Sequence, residues 1–179
     1  DPSSSVAYIA YGWYLINFGR FDEMRQAMST AEQLDPVSQN LQSDFGRMLY
    51  RARDFAGAET HLRKAIEVDE NNPGPYDRLA DVLLETQRFD EALSLLDKAL
   101  AKGGGEAPIV RKAILYARMG QKQKALEIWN RVKNKSSVNQ ARLSTEFGDL
   151  NAAFQALNQA LDQHETVLPH IRVDPGFDK

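Results

Sequence analysis

The chain has 179 residues, a formal net charge of −3 and no cysteine. The absence of cysteine excludes a disulfide framework, a thiolate nucleophile and a cysteine-based metal site. The charge gives no electrostatic reason to bind nucleic acid, and no apolar run reaches the roughly 20 residues that a transmembrane helix needs. We therefore predict no direct nucleic-acid binding and no membrane insertion.

Residues 1–5 contain neither an initiating methionine nor the basic stretch of a signal peptide, so we expect the sequence to be part of a longer protein. Downstream, long spans without proline alternate with short breaks, which is typical of successive helices. Alanine and leucine outnumber the β-branched residues, which favours helix over sheet. We predict helices at about 5–18, 21–34, 38–52, 55–68, 74–86, 89–101, 107–118, 121–133, 138–146 and 149–163.

Four columns of similar residues recur at intervals of 34 positions along the first three helix pairs. The columns are Phe21, Phe55 and Phe89; Ala31, Ala65 and Ala99; Met28, Leu62 and Leu96; and Leu15, Leu49 and Leu83. Such a period indicates a repeat architecture, in which each unit buries its apolar face against its neighbours. After the glycines at 103–105 the register shifts by one residue, and Gly120 and Gly148 mark two further units.

This period and these residue types resemble the tetratricopeptide repeat, in which small residues let two antiparallel helices, A and B, approach closely. The resemblance implies an all-α fold, a right-handed α-solenoid of about five repeats that occupies residues 1–179 as a single array. The repeats would lie at about 5–38, 39–72, 73–105, 106–133 and 134–164, followed by a C-terminal tail at 165–179. The fifth helix A should be short, because Gly148 follows Gly120 by only 28 residues.

The C-terminal part has a narrower resemblance. Phe147, Gly148 and Asp149 precede an alanine-rich helix, and the chain closes on an Asp-Pro-Gly-Phe-Asp string at 174–178. These strings resemble the C-terminal repeat regions of bacterial winged-helix transcription activators, serine/threonine kinases and nucleotide cyclases. The resemblance implies the sensory or interaction part of a larger bacterial regulator, with a cytoplasmic location and the periplasm as the alternative.

In this family, one stripe of each helix A faces the concave groove of the solenoid. The resemblance implies the following partner-binding residues: Ile9, Trp13, Asn17, Arg47, Tyr50, Arg51, Asp77, Asp81, Glu85 and Arg118, with Arg142 from the fifth repeat. Together with Ala107, Val110 and Ile114 of the fourth repeat, these side chains form apolar, basic, acidic and apolar zones in order, which suit an extended or helical peptide of mixed character. The alternatives are that the groove takes up the chain's own tail, or binds nothing.

One subclass of the family binds the C-terminal carboxylate of chaperones through a lysine and an asparagine of its first repeat. Ile9 and Trp13 stand in those two places here. Asp77 and Asp81 would repel a carboxylate further along the groove. We therefore do not expect a chaperone-tail clamp.

The sequence contains no arrangement of residues that predicts catalysis. The three histidines, His61, His164 and His170, are isolated rather than clustered, and no phosphate-binding motif accompanies the glycines at 103–105. We predict no enzyme activity, no metal and no cofactor. Two functions remain: a scaffold that binds a peptide or protein partner, and a small-molecule sensor coupled to an effector domain.

The first helix is apolar on every face, from Val6 to Phe18. A terminal repeat normally needs a polar outer face, and this helix is too short to span a bilayer. We expect its outer face to be covered by an upstream element of the full protein or by a second copy of the chain, which would form a homodimer.

Overall fold

The computed structural model describes residues 3–165 and 173–178, and these ranges contain helices and turns without any β-strand. Ten α-helices follow one another as five antiparallel pairs, and the predicted all-α solenoid is confirmed. The helices are α1 (Ser5–Asn17), α2 (Phe21–Leu34), α3 (Gln39–Arg51), α4 (Phe55–Val68), α5 (Pro73–Glu85), α6 (Phe89–Ala101), α7 (Ala107–Arg118), α8 (Lys122–Asn130), α9 (Ser137–Glu146) and α10 (Leu150–Asp162).

Local sequence signals explain where the helices begin. The side chains of Ser4, Ser38, Asp54, Asn72 and Asp149 each accept a hydrogen bond from a backbone N–H of the first turn that follows. These caps satisfy donors that have no partner inside the helix, and each is worth about 1 kcal/mol.

A residue with positive φ reverses the chain between the two helices of every repeat. The five residues are Gly19, Arg53, Gln87, Gly120 and Gly148, with φ between 60° and 75°. Glycine adopts this left-handed conformation readily, whereas arginine and glutamine adopt it at a penalty of about 1–2 kcal/mol. The repeated turn keeps helices A and B antiparallel in every unit.

The helices pack in two layers, because each A helix contacts its own B helix and the A helix of the next repeat. Close approach within a pair depends on the small residues Ala58, Ala92 and Ala125, which are fully buried. At Gly46, an added Cβ atom would lie 2.6 Å from Cγ of Leu62. The A helices (α1, α3, α5, α7 and α9) thereby form the inner layer, and their free faces line the groove.

Nine helices begin and end within one residue of the predicted positions, whereas α8 ends at Asn130 instead of 133. The carboxylate of Glu106 accepts hydrogen bonds from the backbone N–H groups of Lys133 at 2.8 Å and Asn134 at 3.1 Å. These two amides are therefore drawn away from the helix and onto the first turn of the fourth repeat. Helix α9 has 10 residues, which confirms the short fifth helix A.

Candidate partner-binding groove

Five arginines and three aspartates surround a cavity of about 300 Å³ in the middle of the groove. The side chains come from α3, α5, α7 and α9, and Asp174 adds a wall from the C-terminal tail. The charged and aromatic lining residues are Arg47, Tyr50, Arg51, Asp77, Arg78, Asp81, Arg111, Arg142 and Asp174.

Arg111 holds the centre of the cavity together. Its guanidinium lies 2.8 Å from a carboxylate oxygen of Asp77 and 2.8 Å from one of Asp81. Arg142 lies 3.7 Å from the other oxygen of Asp81. These contacts join α5, α7 and α9, and they compensate the two negative charges that the sequence placed in the groove.

Burial raises the pKa of Asp77 to about 6, although the charge of Arg111 opposes this change. The cause is physical: a carboxylate that loses its hydration is harder to ionise, and one ion pair compensates only part of that loss. Asp77 is 9% exposed. The centre of the groove therefore contains a carboxyl group that gains a proton in the mildly acidic range.

Trp13 lies beneath two arginines on the N-terminal side of the cavity. The guanidinium carbons of Arg47 and Arg51 are 4.6 Å and 4.9 Å from the centre of its ring, which is cation–π distance. Arg47 also pairs with Asp44 at 3.2 Å. Arg51 forms no ion pair within the described ranges, and burial together with the nearby charge of Arg47 lowers its pKa to about 10.

A second charged cluster lies on the C-terminal side. Arg118 binds Glu146 at 2.5 Å and Glu85 at 3.2 Å, so α5, α7 and α9 are joined a second time. Burial raises the pKa of Glu85 in spite of its hydrogen bond to Arg118. This cluster lies outside the cavity and extends the ion pairs along the inner layer toward the C-terminal side.

Four buried polar atoms lack a hydrogen-bond partner among the residues that the structure describes, and all four belong to side chains that line the cavity. They are Tyr50 Oη, Arg51 Nη1, Asp77 Oδ1 and Arg142 Nε. A buried donor or acceptor without a partner costs about 1–3 kcal/mol. The cavity thus offers hydrogen-bonding groups of both kinds to an incoming molecule.

The predicted groove residues fall into three sets. Arg47, Tyr50, Arg51, Asp77 and Asp81 meet around the cavity, and Arg142 joins them there. Trp13 supports this set from below, whereas Glu85 and Arg118 pair with each other beside it. The remaining two, Ile9 and Asn17, are half-buried and do not reach the cavity; Ile9 packs against the core.

Arg78 and Arg111 also line the cavity, although neither was among the predicted groove residues. Both stand at the sixth position of their repeats, 33 residues apart and directly after a position that was assigned to the groove. This recurrence was a usable signal. A long arginine side chain can bend toward the groove from the edge of the predicted stripe, so the groove-facing surface also includes the sixth position of these repeats.

The part of the chain that the structure describes contains no helix suited in length and hydropathy to span a membrane. It also contains no cluster of three or more histidine and acidic residues that could hold a metal ion. His170 lies outside the described residues.

The family model of the tetratricopeptide repeat matches residues 49–114, which include all of α4, α5 and α6. This match covers the second and third members of all four 34-residue columns. The matched segment consists of tetratricopeptide repeats. The chain's five helix pairs extend the tetratricopeptide architecture to both sides of the matched segment.

Two curated relatives resemble part of the chain. Stress-induced-phosphoprotein 1 of Caenorhabditis elegans is 36% identical over 62 residues, which are 35% of this chain and 19% of that protein. Protein STIP1 homolog of Dictyostelium discoideum is 35% identical over 78 residues, which are 43% of this chain and 14% of that protein. The similarity thus spans less than a fifth of either relative.

Solved structures share the fold at low sequence identity. TTC0263, a thermophilic tetratricopeptide repeat protein of Thermus thermophilus, has a TM-score of 0.72 and 18% identity, covering 97% of this chain and 98% of that one. YrrB, described as a tetratricopeptide repeat protein with an unusual peptide-binding site, has a TM-score of 0.57 and 16% identity, covering 94% of this chain and 91% of that one. At these identities the likeness shows the arrangement of helices.

Proposed function

We propose that the chain is a non-catalytic interaction module that binds a peptide or protein segment in its concave groove, as part of a larger bacterial regulatory protein in the cytoplasm. The observation that carries the proposal is the central cavity, where charged side chains from four A helices and four unpartnered buried polar atoms meet. Groups of this kind bind backbone and side-chain polar groups of an extended partner.

Three further observations support this proposal. YrrB, which has the same arrangement of helices, is described as a tetratricopeptide repeat protein with a peptide-binding site. The groove presents an indole platform under two arginines, and aromatic and arginine side chains are the residues that most often dominate interface energetics. The resemblance of the C-terminal strings to bacterial regulators supplies the wider context of the proposal.

We expect the groove variant Arg47→Glu/Arg51→Glu to lose its partner, because it reverses two positive charges above Trp13. The matched control is Lys98→Glu/Arg131→Glu, which makes the same change in net charge at exposed residues outside the groove. Wild type and both variants serve as baits for quantitative affinity capture. The partner is then purified, and its affinity for the groove variant should fall at least about tenfold, or 1.4 kcal/mol.

Circular dichroism melts establish that both variants fold. If the purified partner binds the groove variant as tightly as wild type and loses affinity only for the control, the concave groove is not the binding surface.

The cavity also supports a second candidate, a sensor for a small molecule coupled to an effector domain. Its volume of about 300 Å³ lies in the range of small-molecule sites, and its unpartnered atoms are donors and an acceptor. A small molecule that binds only the folded chain would raise its melting temperature without any protein partner. A module that recognises peptides alone would show no such increase.

We propose further that the outer face of α1 forms a homodimer contact when no upstream element covers it. Val6, Tyr11, Tyr14 and Phe18 are 45–70% exposed on this face, whereas Trp13 belongs to the groove. We expect concentration-dependent sedimentation of wild type, and its loss in Tyr11→Glu/Tyr14→Glu. A wild-type chain that stays monomeric at high concentration contradicts the dimer and leaves the upstream element as the only cover.

A further inference from the structure

The C-terminal segment 173–178 lies against the groove. Its turn over Pro175–Phe177 contacts α9, and Val173, Pro175 and Gly176 are buried. The carboxylate of Asp178 accepts two hydrogen bonds from the guanidinium of Arg53, one of them from Nε at 2.8 Å. Such a bidentate pair fixes the orientation of the segment as well as its position.

Gly176 packs directly on a groove arginine. A Cβ atom added there would lie 2.6 Å from Nε and 2.9 Å from Nη2 of Arg142, so a larger residue would displace the guanidinium. Arg142 itself is 8% exposed. The segment is therefore seated on a groove side chain at van der Waals distance.

Asp174 supplies charge at the same place. It lines the cavity beside Arg51 and Arg142. Burial by itself lowers the pKa of Arg142, but the charge of Asp174, followed by that of Asp81, more than compensates and raises it. The backbone N–H of Gly176 donates to the Asp174 carboxylate at 2.9 Å, which holds the turn in shape.

The groove without this segment has an excess of positive charge. Arg51 and Arg78 form no ion pair within the described ranges, and Asp178 is the carboxylate paired with Arg53. The segment adds two carboxylates, four residues apart, with a glycine between them. Charge and shape of the groove are thus both complementary to a short acidic peptide.

We propose that residues 173–178 are an intramolecular ligand of the groove, and that the partner is an acidic peptide of the same chemistry, which must displace them. The second half of this inference rests on the function proposed above. An intramolecular ligand competes at an effective concentration on the order of millimolar, so it excludes weak acidic peptides and admits those that bind more tightly. The tail thereby sets the minimum affinity that a peptide needs in order to bind the groove.

The first test is competition in the full-length chain. A fluorescein-labelled Val-Asp-Pro-Gly-Phe-Asp peptide is titrated against wild type, the tail variant Asp174→Asn/Asp178→Asn and the control Glu67→Gln/Asp162→Asn, which removes two exposed acidic groups elsewhere. By fluorescence polarisation we expect the tail variant to bind the peptide at least tenfold more tightly than wild type or the control. Adding Arg53→Gln to the tail variant should reverse the gain.

Equal affinities for wild type and the tail variant overturn the proposal, as does a failure of the tail variant to bind the peptide. The same holds if a probe with asparagine at both acidic positions binds equally well.

The second test is independent of any added peptide. Hydrogen exchange should show protection of the amides of Gly176, Phe177 and Asp178, which donate hydrogen bonds within the seated turn. Arg53→Gln should reduce this protection at least tenfold. Unprotected amides in wild type overturn the intramolecular ligand but leave partner binding untouched. If the tail amides are protected but the Arg47→Glu/Arg51→Glu variant binds its partner as tightly as wild type, the proposed function is contradicted and the intramolecular ligand is not.

Discussion

Replacing Arg111 with methionine is expected to destabilise the chain by about 3–5 kcal/mol at pH 7.5, which is typical when one partner of a buried ion pair is removed. The side chains of Asp77 and Asp81 are 12% and 11% exposed; the change leaves Asp77 without an ion pair among the described residues and Asp81 with Arg142 at 3.7 Å. Urea denaturation followed by circular dichroism measures the loss.

The loss should be smaller at pH 5 than at pH 7.5. Asp77 already has a folded-state pKa of about 6, above its ordinary value of 3.8, so its charged form opposes folding. Without Arg111 this pKa rises further; the penalty is complete above it, declines as the pH falls below it and is gone only below the ordinary value of 3.8. A loss of stability that does not change with pH would contradict this interpretation.

Two controls isolate the cause. Lys112 is the neighbour of Arg111 on α7 and pairs with Asp97, whose side chain is 63% exposed. Lys112→Met should therefore change stability by no more than about 1 kcal/mol. The double variant Asp77→Asn/Arg111→Met should recover part of the stability, because it removes the unpaired carboxylate of Asp77 and leaves Asp81 beside Arg142.

Replacing Ala92 with leucine is the second change with a large expected effect, about 1–3 kcal/mol. Ala92 is fully buried where α5 and α6 meet, and the added atoms would force the two helices apart. Ala101→Leu is the matched control, because Ala101 lies in the same helix but is exposed. Urea denaturation should show a clear loss for the first variant and almost none for the second.

Hydrogen exchange should locate the damage of Ala92→Leu in the third repeat and its neighbours, with little change at the ends of the array, because repeats couple mainly to the next repeat. Unchanged exchange throughout α5 and α6 would contradict the close packing at Ala92.

The helices could be predicted from the sequence because the same local signals recur in several repeats. The 34-residue columns, the cap residues and the glycines at three of the five turns all agree on the same boundaries. The end of α8 could not be predicted in this way. It depends on Glu106, a residue 27 positions before Lys133. A contact between residues so far apart in the sequence does not produce a repeating sequence pattern.

The candidate site was predictable only in part, for a related reason. The family resemblance, with its groove-facing stripe at helical spacing, predicts Arg47, Arg51, Asp77 and Asp81 on the inner face, where they line the cavity. It does not indicate which of them pair, or that an arginine from the following repeat, Arg111, neutralises two aspartates of α5. The tail was recognisable as a family string, but its place in the groove follows from long-range packing.

The pair between Arg53 and Asp178 also bears on how the array unfolds. A solenoid that is held together only by neighbouring units resembles a one-dimensional Ising chain, whose terminal units can melt independently of the rest. Arg53 and Asp178 are 125 positions apart and connect the second repeat to the end of the chain. Melting of the last repeats must break this connection as well as the local interfaces. The tail therefore couples distant repeats, and the loss of Asp178 should broaden the unfolding transition slightly, because an exposed ion pair of this kind is worth no more than about 1 kcal/mol.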